Sequence, residues 1–331
     1  MKVAVYYNNN DVRIEERPKP EIGDGEFLLK MMASGICGSD VMEWYRLKTA
    51  PRALGHEVTG EIVDAGEGVP YKVGDRVFVS HHVPCNECEQ CRAGHHTACE
   101  TLHRTNFDPG GFAEFIRIPE INVRNGVYRL PENVSYEDGT FIEPLACVVR
   151  GQRLAGIGKG QTVLVLGSGI SGLLHIQLAK LKGAKRIIAM DVNQSRLDMA
   201  RRFGADEVMG AEEEIDVKAD VVIVCTGAEA AAMQALKCVG RGGTVLFFAV
   251  PEPGFELTVP INEFWRNEVT VRTSYGAAPD DLKEALELIE EGRINVHDMV
   301  THVLPLDKAA EGFNLVAQAN ESLKVILKPN K

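Results

Sequence analysis

The most constraining feature of this chain is a strand, a glycine turn and a helix in direct succession, with an acid closing the next strand. Thr162–Leu166 is a continuous apolar run, Gly167-Ser168-Gly169-Ile170-Ser171-Gly172 follows it, and Ile170–Leu181 carries a helical pattern. Asp191 lies 19 residues past Gly172, at the end of a second apolar run, Arg186–Met190. Glycines at this spacing tighten the turn and let backbone N–H groups approach a pyrophosphate, while the acid takes the adenosine ribose hydroxyls. The hexapeptide alone would be weak, and a tight turn that binds nothing is the plainer alternative; the flanking strand and helix favour the dinucleotide. Gly167, Gly169, Ile170 and Gly172 are therefore expected at the phosphates and Asp191 at the ribose. The Asp191 carboxylate would repel a 2′-phosphate, so NAD is expected rather than NADP. Arg196 is expected along the adenine face.

The surrounding pattern agrees. A helix at Ser195–Phe203 and strands at Glu207–Met209, Asp220–Cys225, Thr244–Ala249 and Val269–Thr273 continue the alternation. Apolar strands alternating with helices imply a parallel sheet covered on both faces, hence a doubly wound α/β domain. The first 149 residues read differently. Val3–Tyr7, Glu26–Met32, His56–Ala65, Arg76–Ser80 and Phe112–Ile118 are short β-rich runs split by Gly, Pro and Asp, as in a barrel-like domain. Beyond Tyr275 a helix at Asp280–Glu291 and strands at Thr301–Pro305 and Leu323–Leu327 complete the chain. At 331 residues two domains are expected.

Charge narrows the partners. With 36 basic and 47 acidic residues the net charge is −11, which disfavours binding to nucleic acid. No run approaches the roughly 20 apolar residues of a membrane span. The opening run Met1–Tyr7 lacks the pattern of an export signal, so a cytoplasmic location is expected.

Of the eight cysteines, four form Cys85-x2-Cys88-x2-Cys91-x7-Cys99. In a large intracellular chain such clustering points to metal, and four thiolates close a tetrahedral shell around a structural zinc. Free or redox-active thiols are the duller alternative. With that shell full, His81, His82, His95 and His96 are read as surface or packing residues.

A second candidate set is scattered: Cys37 in Gly35–Asp40, His56 and Glu57 in Gly55-His56-Glu57, and Glu143 in Glu143-Pro144-Leu145-Ala146-Cys147. One thiolate, one imidazole and one carboxylate make a three-ligand shell with an open place. Singly, each is as readily a small core residue or a hydrogen-bonded surface group.

These motifs, with Val73–Val77, Gly110–Glu114 and Gly240–Thr244, resemble the zinc-containing medium-chain alcohol dehydrogenases over nearly the whole length, and within them the sorbitol (iditol) and threonine dehydrogenase branch. The resemblance implies a Rossmann NAD-binding domain over 150–275. It implies a GroES-like catalytic domain over 1–149 and 276–331, with the structural zinc lobe at 81–103. Two zinc ions per chain are implied: Cys37, His56 and Glu143 hold the catalytic one, Glu57 is a neighbouring and exchangeable ligand, and Cys85, Cys88, Cys91 and Cys99 hold the other. Asp40 would orient the zinc-bound histidine and Ser39 would accept the substrate's proton. The implied reaction passes a hydride from a secondary alcohol, polyol or sugar-like, to NAD. A homodimer or homotetramer is implied, with Glu268–Ser274 as the pairing edge. The chain departs from the family at Met42, where a relay histidine is common, and in the short stretch Gly210–Lys218. Other readings are an amino-alcohol such as L-threonine, for whose carboxylate Arg46, Arg52 and Arg104 are candidates; a zinc-free quinone or enoyl reductase; and a non-catalytic nucleotide-binding relative.

Overall fold

The computed structural model describes residues 1–213, 216–320 and 322–330, so Glu214 and Ile215 of the short stretch lie outside the described residues. The chain divides into two compact units. One comprises Met1–Ala146, Ala277–Gly292 and Val296–Lys331; the other comprises Cys147–Gly276 and Arg293–Asn295. The division falls inside the helix Ile142–Ala155.

The second unit is a six-stranded sheet whose strands we number in chain order: β1 Thr162–Leu166, β2 Arg186–Asp191, β3 Glu207–Gly210, β4 Ala219–Val224, β5 Val239–Phe247 and β6 Thr270–Thr273. Their order is β3-β2-β1-β4-β5-β6, and every pairing is parallel. This is the doubly wound order that reverses direction between β1 and β4, where nucleotides sit beyond the strand ends. The strands are apolar on both sides because helices cover both faces. Leu164, Ile188, Val222 and Val245 pack against Ala232 and Ala235 of the helix Glu229–Cys238. At one edge β6 is exposed along its whole length.

The first unit is built on a seven-stranded sheet. Its centre is the antiparallel pair Phe27–Ile36 and Glu57–Ala65, in which Gly35 faces Glu57. The strand Lys324–Lys328 lies on the other side of Phe27–Ile36, with Ile326 opposite Gly35. A smaller sheet joins Lys2–Asn8 to Asp11–Glu16 and to Arg52–Ala53. Val3, Tyr6, Phe27, Met31, Ile62 and Phe313 are among the residues of its core.

Sequence and structure differ where helices were not anticipated. Ile142–Ala155, Glu229–Cys238 and Ala309–Gln318 are all helical. Pro144 in the first turn of Ile142–Ala155 obscures that helix, although a first-turn proline leaves no helix hydrogen bond unmade. The expected strand Phe112–Ile118 is strand only from Phe115. Among the described residues no helix is long and apolar enough to cross a membrane.

Candidate functional site

Three potential ligands meet in the first unit. Cys37 follows the strand Phe27–Ile36, where the chain turns into a short 3-10 helix, Gly38–Val41. Glu57 begins the neighbouring strand and His56 directly precedes it. Ligand atoms of Cys37, His56 and Glu57 all lie within 4.8 Å of one another. Glu143, near the start of Ile142–Ala155, is not in that group.

The residues around them bear on what these three groups can do. Asp40 is fully buried; its Oδ2 accepts from Cys37 N–H at 3.1 Å, and its Oδ1 lies 3.4 Å from His56 Nδ1. A carboxylate on Nδ1 leaves Nε2 to a metal, the usual outer contact of a metal-binding histidine. Burial would push the His56 pKa down, but Asp40 and then Cys37 hold it well above its ordinary value. A site that attracts a proton between a carboxylate and a thiol is one that a cation can occupy instead. The donor set fits zinc.

Two residues that sequence reasoning missed or left unplaced complete this centre. Arg46 ends the turn Glu43–Arg46 and reaches back, donating from Nε to Ser39 O at 2.8 Å and from Nη2 to Ser39 Oγ at 2.9 Å and Asp40 Oδ1 at 3.2 Å. Lys324 is 1% exposed, forms an ion pair with the equally buried Glu57, and stands 5.2 Å from the centroid of the Phe141 ring. Nothing in the sequence near Lys324 signals this, because the pair spans 267 residues. A methyl group on Gly35 would collide with the Glu57 carboxylate and the Lys324 side chain, so glycine there makes room for the pair.

Breaking a buried pair from one side strands the other charge at a cost of about 3–5 kcal/mol. Lys324→Met is therefore expected to destabilise the metal-free protein by about that amount in urea unfolding. The loss should be smaller in protein loaded with zinc, where the freed Glu57 carboxylate can turn to the ion. Equal losses with and without metal would remove Glu57 from the ligand set.

The histidines flanking the four cysteines divide between packing and surface positions. His81 packs against His56, with ring centroids 4.9 Å apart, and against His82 at 3.8 Å. Its Nδ1 is buried with no hydrogen-bond partner among the described residues. Burial and then the neighbouring cations hold His82 down to about 4. His81 thus packs on the candidate ligand His56 and His82 packs on His81, whereas His95 is exposed. Arg104 pairs with Glu100 on the surface, 80% exposed, and is no part of it.

The four-cysteine lobe is a separate cluster. Its Sγ atoms lie within 4.8 Å of one another, with Cys88–Cys91 at 3.5 Å and Cys85–Cys99 at 3.6 Å. All four are free thiols. A tetrahedron with Zn–S bonds of about 2.3 Å has edges of about 3.8 Å, whereas a disulfide needs about 2.05 Å. The spacing fits a four-thiolate zinc shell.

In the second unit the glycine loop joins β1 to the helix Ile170–Leu181. Gly167 has φ +98°, a left-handed conformation that glycine adopts without strain, and a side chain on Gly172 would strike the Gly167 carbonyl. Asp191 is 7% exposed; its Oδ2 accepts from Ser168 N–H at 2.7 Å and its Oδ1 from Asn193 N–H at 2.9 Å. The carboxylate is thus fixed beside the loop. Arg196 Nη1 would lie 3.8 Å from a methyl group placed on Gly169, and its Nε is buried without a hydrogen-bond partner among the described residues.

Comparison with known proteins adds to this geometry. The family profile described as zinc-binding dehydrogenase matches residues 171–291, and that described as alcohol dehydrogenase GroES-like domain matches 23–132. The sorbitol dehydrogenase of Gallus gallus is 32% identical, the match covering 98% of this chain and 95% of that protein. The D-xylulose reductase A of Aspergillus niger is also 32% identical, over 96% of this chain and 93% of that one. A Sinorhizobium meliloti protein solved with NADP bound superposes with a TM-score of 0.88 at 28% identity, covering 99% of both chains.

Proposed function

From the premise that the chain belongs to the zinc-dependent medium-chain alcohol dehydrogenases, in their sorbitol dehydrogenase-like branch, we propose that it oxidises a secondary hydroxyl of a polyol or sugar-like alcohol with NAD. The observation that carries this reading is the convergence of Cys37, His56 and Glu57 within 4.8 Å, with the Ser39 hydroxyl two residues beyond the thiol. A zinc-free reductase would have no use for this set or for the four-thiol lobe.

When bound, zinc supplies a Lewis acid that lowers the pKa of an alcohol, and the nicotinamide supplies the hydride acceptor. The protein's own groups do the rest. Asp40 fixes the His56 ring. Arg46 donates to one lone pair of Ser39 Oγ, which leaves the other facing outward to take a substrate proton. Arg46 stays protonated and cannot relay that proton, so with Met42 in place of a histidine Ser39 passes its own hydrogen to water. Lys324 occupies the Glu57 carboxylate, which accords with the role the family resemblance implies for Glu57, that of an exchange partner to Glu143 as the oxygen ligand.

The NAD preference rests on Asp191. A 2′-phosphate would meet a buried carboxylate that two backbone N–H groups already hold in place, and such like-charge contacts cost several kcal/mol. We expect kcat/KM with NAD to exceed that with NADP by about 100-fold. Asp191→Asn keeps an acceptor for Ser168 and drops the charge, so it should narrow the ratio to within about tenfold. Equal use of the two nucleotides by the unmodified enzyme would refute this assignment.

We place the enzyme in the cytoplasm, where its thiols stay reduced. We also expect a homodimer or homotetramer paired along β6, whose exposed edge has unpaired backbone groups. The deciding experiment assays polyols, sugars, amino alcohols and simple secondary alcohols with both nucleotides while counting bound zinc. Two zincs per chain and NAD-dependent polyol oxidation are expected. A single zinc would remove the proposed chemistry and leave the fold.

A further inference from the structure

Close to the Cys37–His56 centre along the chain stand two arginines, Arg46 and Arg52, that differ in how they are partnered. Arg46 is the better satisfied of two arginines, since Nε and Nη2 bind Ser39 and Asp40 and its side chain is only 14% exposed. Arg52 is different. It opens the strand Arg52–Ala53, four residues before His56, and is half-buried. Its guanidinium has no hydrogen-bond or ion-pair partner among the described residues; burial and then the repulsion of Arg46 lower its pKa. The His81 ring packs against His56, with ring centroids 4.9 Å apart. Of the buried carboxylates here, Asp40 is already shared among Cys37, His56 and Arg46, and Glu57 is paired with Lys324. In a chain of net charge −11, a half-buried guanidinium with no ion-pair partner among the described residues, set beside a second arginine, points to a ligand that brings a counter-charge.

We propose that the physiological substrate is an anionic polyol, a sugar acid or a polyol phosphate, whose oxyanion is held by Arg52 and the free edge of Arg46. This deepens the polyol reading above and rests on it. The reacting hydroxyl faces Ser39 and the metal centre. Its carbon gives up a hydride to oxidised nicotinamide, its O–H proton leaves through Ser39 to water, and a carbonyl forms while the oxyanion is unchanged. Tyr45 packs its ring 4.6 Å from Arg46 Cζ.

The test uses zinc-loaded enzyme and matched substrates: sorbitol against sorbitol 6-phosphate, and sorbitol against gluconate. Charge-assisted contacts to arginine predict that kcat/KM for at least one anionic member exceeds that for sorbitol by about tenfold or more, chiefly through KM. The two arms separate a phosphate from a carboxylate preference, and either supports the proposal. Arg52→Gln should bring the anionic-to-neutral ratio close to one, and Arg52→Lys should restore part of it. A second readout needs no turnover: acetate or inorganic phosphate, titrated calorimetrically into zinc-loaded enzyme saturated with NAD, should bind the unmodified protein and not the glutamine variant.

A preference for neutral polyols, or a ratio untouched by Arg52→Gln, overturns the proposal and leaves polyol oxidation standing. So does a rise in the KM for NAD in place of that for the polyol, since the arginines would then serve the nucleotide. Failure to oxidise any polyol, charged or neutral, overturns both readings. Thermal melts of the variants separate a binding defect from misfolding.

Discussion

His56→Ala is expected to lower kcat/KM for alcohol oxidation by about 10³- to 10⁴-fold and to reduce bound zinc from two ions per chain to one. A Lewis acid contributes several kcal/mol to stabilising developing charge on oxygen, and each 1.36 kcal/mol is a factor of about ten. The fold should survive, because Asp40 keeps two of its three partners, Cys37 N–H and Arg46. That makes the variant a clean probe: melting behaviour close to the parent, one metal missing, catalysis gone. Activity within about tenfold of the parent would mean the chemistry happens elsewhere. Retention of two zincs would mean that Cys37 and the carboxylates hold the ion without the imidazole.

Cys99→Ser should have the other large effect, on stability. The lobe has very little core: Cys91, Cys99 and Leu102 are buried together, with Cys85 and Cys88 packed against them. Three buried residues of that size contribute little toward fixing a loop of this length, so a zinc ion held by the four thiolates would supply most of the ordering free energy. Structural zinc typically binds its peptides with about 10–16 kcal/mol, much of it spent on folding them. Losing one thiolate should release the ion, expose the lobe to protease within 85–103 and lower the Tm by roughly 10 °C, several kcal/mol of stability for a chain of this size. A strong chelator should reproduce all three changes in the parent. An unchanged Tm with two zincs still bound would show that the thiols are ordinary packing residues.

These two substitutions divide along the line between what was legible in the sequence and what was not. The lobe could be read directly, since its four ligands fall within fifteen residues and the local chain alone can bring them together. The dinucleotide loop was legible for the same reason: the helix Ile170–Leu181 starts and stops where its pattern predicts, and Asp191 ends β2 beside the loop. The proposed catalytic ligands were harder. Spacing left Cys37, His56 and Glu143 open to duller readings, and only the family resemblance joined them. The structure then brought Glu57 into the 4.8 Å group, not Glu143.

What the sequence determined by itself is therefore local: strand against helix, glycine where the backbone must turn, and thiols close enough in the chain to share an ion. Tertiary structure alone decided which distant side chains stand beside those ligands. Lys324 reaches Glu57 because its strand lies beside Phe27–Ile36, which in turn pairs Gly35 with Glu57. Arg46 reaches the neighbourhood of His56 because both stand on the buried Asp40 carboxylate. Such contacts depend on the register of a whole sheet, a cooperative property set by its buried face, and no spacing along the chain encodes it.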